Sequence, residues 1–314
     1  MADAIIRGRP APDRAARRFA NLKRRLRALA MLGPMALLPA CQPAAALADR
    51  QEGDKPRVVS IDYCADQMAI GLLPRARIAA ISHEADSDVS FSAPRAQGIA
   101  RLRPALEDII ALQPDMVVRS YGGDGRLAGQ LEKLGIQVVQ LGYAGDMAGV
   151  RADMLRVGRE LGAEPRAHAL VARFDANLAA AEAAAAKRND RQAPRPHALY
   201  LTPGDVTTGP GSLVAEVIES AGFTPYRQRP GWGSIPLEEL VRRPPDMVFR
   251  AFFDSSRYAQ DRWTSSRHPV LGRVTAGVPD VEVPGGWLAC GNWLAGDAVA
   301  RLAAAQAAMK GGAI

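Results

Sequence analysis

LEDIIALQPDMVVRS at Leu106–Ser120 recurs 131 positions later as LEELVRRPPDMVFRA at Leu237–Ala251. In each copy, apolar residues spaced i, i+3 and i+4 predict a short helix, which ends at a proline because proline cannot continue helical hydrogen bonding. A near-continuous apolar run follows the Pro-Asp pair and ends in Arg119 or Arg250. Such a run is typical of a strand buried on both faces of a parallel sheet. The repeat therefore predicts two similar α/β lobes.

Predicted strands and helices alternate along the rest of the chain. Further strands are expected at 57–61, 78–82, 136–141, 197–201 and 278–283. Asp146 and Ser212 are placed to cap the helices that follow them. The polar stretch 86–103, which is rich in Ser, Pro and Gly, is predicted to be a loop. This alternation indicates parallel sheets joined by crossover helices.

One alanine-rich helix is predicted between the two lobes. It spans Pro165–Arg188 and would be about 36 Å long at 1.5 Å per residue, which is enough to join both lobes. The predicted fold class is α/β, with two Rossmann-like lobes that have central parallel sheets and are joined by this helix. The expected parts are a signal peptide and tether at 1–50, an N-terminal lobe at 56–145, linking helices at 146–190 and a C-terminal lobe at 195–314.

The net charge of +7 is concentrated in one segment. Residues 1–50 contain ten of the 40 basic residues and three of the 33 acidic ones, so the remaining residues have 30 of each and are neutral. A nucleic-acid partner is therefore not expected, because such proteins carry basic surface on the folded domain itself.

Residues 1–50 are predicted to direct export. A cluster of Lys and Arg precedes the apolar stretch Ala28–Ala40, which suits a signal peptide and is shorter than the roughly 20 residues of a membrane span. Leu38–Cys41 resembles a lipobox, which would make Cys41 a lipid-modified first residue, whereas Ala46–Ala48 suits an ordinary signal peptidase. Both cleavage sites remain open, as do export by the general secretory pathway and by the twin-arginine pathway. The expected location is the periplasm, with membrane contact only through such an anchor.

If Cys41 is lipidated, two further cysteines remain. Cys64 and Cys290 would then form an even number of thiols in an oxidising compartment, where a disulfide between them is one expectation. Two buried cysteines that act as small apolar side chains are the other.

The mature chain resembles the periplasmic substrate-binding proteins of ABC importers for iron–siderophores, cobalamin and haem, the class III family with a helical backbone. The resemblance is carried by RVVSIDYCADQ at Arg57–Gln67, by both copies of the repeated stretch and by the alanine-rich helix between them. It covers about residues 56–310. It implies a ligand in a shallow cleft between two lobes and a linking helix that limits their closure.

The resemblance also implies partners. In this family, one glutamate at the tip of each lobe forms salt bridges with arginines of the membrane permease, and the matching residues here are Glu107 and Glu238. Glutamate in the first helical turn also has a structural explanation, because it favours a helix N-terminus. The expected partners are an ABC permease with its ATPase and a small metal chelate, and the protein is expected to be a monomer.

Residues at strand ends and in the loops that follow are the candidates for the cleft, because ligands of open α/β sheets bind beyond the carboxyl ends of strands. Arginines offer a planar fork for anionic groups, and aromatic side chains offer flat surface. Together they suit a metal chelate, a ferric siderophore first, with cobalamin or haem as alternatives. Trp232 lies six residues before Glu238, where cobalamin-binding relatives carry a cleft tryptophan, and Arg101 stands where they carry another aromatic residue. The candidates are Asp62, Tyr63, Arg101, Arg103, Arg119, Tyr121, Thr207, Trp232, Arg250, Trp287 and Trp293.

Two other classes of function fit parts of the sequence. Capture of a bare metal ion needs converging His and carboxylate ligands, and only the cluster His83, Glu84, Asp86 and Asp88 has both, in what reads as a solvated loop. An enzyme with a dinucleotide is suggested by Gly123–Ala128, which fits the loose G-x-G-x-x-A pattern. The next strand lacks the acidic residue that would hold a ribose. The sequence therefore predicts a binding protein without catalytic residues, resident metal or cofactor.

Overall fold

The computed structural model describes residues 55–87, 90, 93–121, 125–189, 194–204, 206–252 and 268–309. The predicted export signal and the lipidated Cys41 lie outside the described residues, as do Asp88 and part of the glycine motif at 123–128. In the part of the chain that is described, no helix has the length and apolar character needed to cross a membrane.

The strands form two parallel sheets and one antiparallel ribbon. The first sheet has the order β3-β2-β1-β4-β5, and its strands are β1 Val58–Ser60, β2 Ile78–Ser82, β3 Ala100–Leu102, β4 Met116–Arg119 and β5 Gln137–Gln140. The remaining strands are β6 His197–Leu201, β7 Val206–Thr208, β8 Thr224–Pro225, β9 Trp232–Ser234, β10 Met247–Ala251 and β11 Asp280–Val283. The second sheet has the order β11-β10-β6-β8, and β7 pairs with β9 in the ribbon.

Helices connect and cover these strands. In chain order they are α1 Tyr63–Leu72, α2 Leu106–Ala111, α3 Gly125–Lys133, α4 Met147–Glu160, α5 Glu164–Asn189, α6 Leu213–Ser220, α7 Leu237–Arg242, α8 Pro269–Thr275, α9 Gly286–Ala289 and α10 Leu294–Ala308. Asp146 and Ser212 cap α4 and α6 as predicted, because their side chains accept hydrogen bonds from the amides of Gly149 (2.6 Å) and Ala215 (3.1 Å).

The two copies of the repeated stretch occupy equivalent places in the two sheets. One copy forms α2 and β4, and the other forms α7 and β10. β4 lies between β1 and β5, and β10 lies in the same way between β6 and β11. The run β2-β1-β4-β5 thus matches β8-β6-β10-β11. The predicted α/β fold with parallel sheets and one long helix is confirmed.

The long helix α5 is packed along its length rather than free-standing. It contacts α4 and α10, and Gly158 and Gly296 allow the helices to approach closely because a Cβ at either position would meet Ala167 or Phe174. Arg173 Nη2 also forms a 2.8 Å ion pair with Asp297 on α10. The largest apolar cluster contains residues of both sheets together with α5 and α10, so the two halves share one core.

Four short strands, β3, β7, β8 and β9, differ from the sequence-based expectation. The stretch 86–103 is not entirely a loop, since β3 forms the edge of the first sheet there. The β7–β9 ribbon was not predicted either. These strands are two or three residues long and contain Arg, Thr or Gly, so they lack the apolar run or the alternation that marks a buried strand.

Candidate ligand-binding groove

An open groove of about 660 Å³, including its mouth, is lined by residues from both halves of the protein. Tyr121 and Tyr143 follow the carboxyl ends of β4 and β5 in the first half. From the second half come Tyr200 on β6, Trp232 on β9 and Phe252 just after β10. The groove therefore lies where parallel strands end, which is the usual place for a ligand in such sheets.

Two pairs of aromatic rings form its walls, one pair from each half. The rings of Tyr121 and Tyr143 lie 5.0 Å apart, and those of Tyr200 and Trp232 lie 6.1 Å apart, both edge to face. Tyr143 and Trp232 expose 66% and 50% of their surface. Desolvation and the neighbouring Tyr143 raise the pKa of the Tyr121 phenol. Tyr121, Tyr143 and Trp232 therefore offer flat apolar surface to a ligand, whereas Tyr200 is buried and supports the Trp232 ring.

Phe252, which lines the groove, has an unusual backbone conformation. Its φ of 69° lies in the left-handed region, which is rare for a bulky side chain and indicates local strain. The ring packs directly on Gly285, where any Cβ would stand 2.2 Å from Phe252 Cδ1. Gly285 therefore provides the space that lets Phe252 face the groove.

The floor of the groove is tied to the first half of the protein. Leu288–Gly291 line the groove, and a disulfide joins Cys290 in this segment to Cys64 on α1. The buried amide of Gln67 on α1 adds two hydrogen bonds, one to the carbonyl of Gly286 (3.3 Å) and one from Asn292 Nδ2 (2.7 Å). One covalent bond and two hydrogen bonds thus fix the floor to α1.

Of the predicted ligand-binding residues, Tyr121 and Trp232 lie in the described lining of the groove. Sequence reasoning missed Tyr143, Tyr200 and Phe252. Tyr143 and Phe252 carry the same signal as the candidates, because they closely follow strand ends, whereas Tyr200 lies within β6 and reads as a core residue.

Two predicted arginines form ion pairs within the protein instead. The Arg101 guanidinium binds both carboxylate oxygens of Asp86 (2.8 and 2.5 Å) and two backbone carbonyls nearby, and this contact lowers the pKa of Asp86. Arg250 pairs with Asp280 at the amino end of β11, away from the strand ends that form the groove. Both guanidinium groups therefore contact carboxylates of the protein itself.

The other candidates lie around the groove or in the core. Asp62 caps α1 and also accepts a hydrogen bond from the amide of Ser120 (2.7 Å), which ties α1 to the end of β4. Trp293 is buried, and its ring fills the space beside Gly71, so it is a core residue. The remaining candidates are Tyr63 at the start of α1, exposed Arg103, buried Arg119 and Thr207, and Trp287, which packs against the large apolar cluster.

The buried carboxylate of Asp66 lies at the carboxyl ends of β1 and β2. Asp66 on α1 accepts hydrogen bonds from the Ser60 hydroxyl and from the amide (2.9 Å) and hydroxyl (2.5 Å) of Ser82. Burial raises the pKa of Asp66 from 3.8 to about 6, although the hydrogen bonds from the serines oppose that rise. Asp66 links α1 to both strands.

No group of three or more His, Cys, Asp or Glu side chains comes together as a set of metal ligands among the described residues. The repeated glutamates Glu107 and Glu238 lie in the first turns of α2 and α7, and both are exposed. These helices precede β4 and β10, the strands that hold equivalent places in the two sheets.

Comparison with known proteins identifies the family. Residues 58–276 match the family model described as periplasmic binding protein. Comparison with curated protein sequences gives no match. Among solved structures, the periplasmic heme-binding protein RhuT from Roseiflexus sp. RS-1 has a TM-score of 0.65 and 18% identity, covering 82% of this chain and 99% of that one.

Two further solved structures share the fold with other ligands in their names. An ABC-type Fe3+-hydroxamate transport system from Saccharomonospora viridis has a TM-score of 0.55 and 22% identity, covering 82% of this chain and 94% of that one. The periplasmic vitamin B12 binding protein BtuF of Vibrio cholerae has a TM-score of 0.55 and 16% identity, covering 81% and 98%. The match of the family model over most of the chain shows that this protein belongs to the periplasmic binding proteins, which bind ligands for transport and are not enzymes.

Proposed function

We propose that this chain is the substrate-binding component of an ABC importer and that it captures a metal chelate in the groove. The observation that carries the proposal is the pair of aromatic walls, one from each half, around an open space of about 660 Å³. Small-molecule sites are concave and mostly apolar, and this groove has both properties. Proteins with the same fold are named for binding haem, hydroxamate iron and vitamin B12.

The character of the lining favours one kind of chelate. A ferric siderophore was the first expectation because arginines were predicted in the cleft, but Arg101 and Arg250 pair with Asp86 and Asp280. The described lining contains aromatic, aliphatic and small side chains and no charged one. This composition favours a chelate with a flat apolar face, a metal porphyrin first, over a highly anionic siderophore. A phenol such as that of Tyr121 is also a known type of haem-iron ligand.

Binding of the chelate is tested by titration of the purified protein with hemin, cyanocobalamin and a ferric hydroxamate siderophore, followed by absorbance and tryptophan fluorescence. We expect hemin to bind most tightly, and Trp232→Ala to weaken its affinity about tenfold because a large aromatic contact is lost. Trp287→Phe is the matched control, since Trp287 is not in the described lining. If none of the three compounds binds, or if Trp232→Ala binds hemin like the wild type, the groove is not the ligand site.

Delivery is proposed to depend on Glu107 and Glu238. Each lies in the first turn of a surface helix that holds an equivalent place in its sheet, and a permease with two similar halves would meet one glutamate on each side. Complementary charges of this kind orient two partners and speed their association.

Charge reversal tests this docking. Glu107→Lys with Glu238→Lys should abolish hemin uptake by cells while leaving hemin affinity unchanged. Glu132→Lys with Glu182→Lys is the control with the same change in charge, at exposed helical positions outside the repeat. Equal uptake by both double variants would remove the docking proposal without affecting the ligand proposal.

Export and anchoring remain part of the proposal for residues 1–50. Cys41 would carry the lipid and hold the protein at the membrane surface in the periplasm. Incorporation of labelled palmitate that is lost in Cys41→Ala is the expected result. A released protein that begins near Ala48 would instead indicate ordinary signal cleavage.

A further inference from the structure

The two repeated helices each leave one aliphatic side chain uncovered at the same position of the repeat. Ile110 on α2 is 40% exposed, and Val241 on α7 is 57% exposed. Their neighbours Ile109 and Leu240 are fully buried under the same helices. Apolar spacing in the sequence made all four residues look like one inward face, but only two of them pack into the core.

Each uncovered aliphatic residue lies beside one of the repeated glutamates. Ile110 follows Glu107 by three residues, and Val241 follows Glu238 by three, so each pair shares a side of its helix. Within the described part of the chain, neither glutamate has an ion pair or hydrogen bond through its side chain. Each repeat therefore presents a glutamate that has no such partner among the described residues, next to exposed aliphatic surface.

We propose that Ile110 and Val241 are apolar anchors of the docking surface, each seated in an apolar depression of the permease beside the basic group that faces the glutamate. This inference rests on the proposed function and adds to it the chemistry of the partner surface. At protein interfaces, buried apolar anchors carry most of the binding energy, while charges set orientation and rate. Ion pairs of Glu107 and Glu238 alone would give a weak contact, because exposed ion pairs contribute little.

The charge of the first patch argues against a second copy of this chain as its occupant. This patch is acidic, since Glu107 and Asp108 share the first turn of α2, and self-association through it would place Glu107 of one copy against Glu107 of another. Like charges brought together at an interface are unfavourable. In the second patch, Arg242 and Arg243 balance Glu238 and Glu239. A basic membrane partner with two similar halves fits the charge of the first patch and the duplication.

Photo-crosslinking in cells tests where the anchors sit. The full-length chain carries photoreactive p-benzoylphenylalanine in place of Ile110, Val241 or Leu134, one at a time, in cells of its source organism. Leu134 is the matched control because it is 57% exposed and lies outside the repeat. We expect Ile110 and Val241 positions to crosslink to an integral-membrane transport subunit, and Glu107→Lys with Glu238→Lys to reduce both crosslinks at least tenfold. No crosslink to a membrane protein, an equal crosslink from Leu134, or a crosslink to a second copy of this chain would overturn the proposal.

A second measurement separates this inference from the proposed function. Ile110→Ser with Val241→Ser should reduce hemin uptake about tenfold, since each loses apolar contact area, while hemin affinity and thermal unfolding stay unchanged. Leu134→Ser should transport like the wild type. If charge reversal of the glutamates abolishes uptake and the double serine variant does not reduce it, the assignment of the two aliphatic residues as anchors is wrong. The docking role of the glutamates then stands. If neither double variant changes uptake, docking through the repeated helices is wrong altogether.

Discussion

Cys64 on α1 and Cys290 on the floor of the groove are joined by a disulfide that closes a loop between residues 226 positions apart. Cys64 belongs to the helix that covers the first sheet, and Cys290 follows α9 in the second half. The bond therefore fixes the segment that forms the floor of the groove to the first half of the protein.

Removal of this bond should lower stability. We expect Cys64→Ser with Cys290→Ser to reduce the free energy of unfolding by about 3–5 kcal/mol, because the unfolded chain loses a long-range constraint. Urea titration of both proteins measures the difference. A reducing agent should lower the stability of the wild type to the same level and leave the double variant unchanged. Equal stability of wild type and variant under oxidising conditions would contradict the prediction.

Gly71 should tolerate no side chain, because Trp293 occupies the space beside it. A Cβ at Gly71 would stand 2.2 Å from the Trp293 ring, which is buried and cannot move aside freely. We expect Gly71→Ala to destabilise the protein by about 1–3 kcal/mol through overpacking. Gly129→Ala is the control, since Gly129 is also helical but has open space around it, and it should stabilise by about 0.5–1 kcal/mol. Thermal unfolding of the two variants should therefore shift in opposite directions.

Asp66 should make stability fall as pH rises from about 4 to 6. Its folded pKa is raised to about 6 by burial, so between these values the folded protein keeps a proton that the unfolded chain releases. The contribution is fully present below the unfolded value of 3.8 and is lost above pH 6, at a total of about 3 kcal/mol. The nearby Asp62 charge adds to the rise in pKa.

The measurement is the difference in unfolding free energy between wild type and Asp66→Asn across pH 3–8, in which the other titrating groups cancel. The wild type should lose stability relative to the variant as pH rises through 4–6. A constant difference across that range would show that Asp66 titrates normally.

Arg101 should matter for stability and not for ligand binding. Its guanidinium binds Asp86 and the carbonyls of Ala96 and Ile99, so it holds the segment before α2 together. Because Asp86 is largely exposed, we expect Arg101→Ala to cost only about 1 kcal/mol in urea unfolding. Hemin affinity by fluorescence should stay within about twofold of wild type. A tenfold loss of hemin affinity without a change in stability would show that Arg101 belongs to the ligand site.

The aromatic walls show why the candidate site could be predicted only in part. Tyr121 and Trp232 were expected because they follow strand ends or stand at a family position, and both line the groove. Tyr200 was not expected, since a tyrosine inside a strand has the pattern of a core residue. Its ring meets Trp232 because β7, which contacts β6, pairs with β9 in the unpredicted ribbon.

Local chemistry of the chain determined the repeated helix–strand unit, the parallel α/β class, the long helix and the caps at Asp146 and Ser212. These depend on apolar periodicity and on hydrogen bonds between residues a few positions apart, which the sequence carries directly. Only the tertiary structure decided that Ile109 faces the core while Ile110 faces outward, and that Arg101 and Arg250 form ion pairs. Those outcomes depend on which elements pack together: Arg101 and Asp86 are 15 positions apart, and Arg250 and Asp280 are 30 apart. No local pattern encodes that choice.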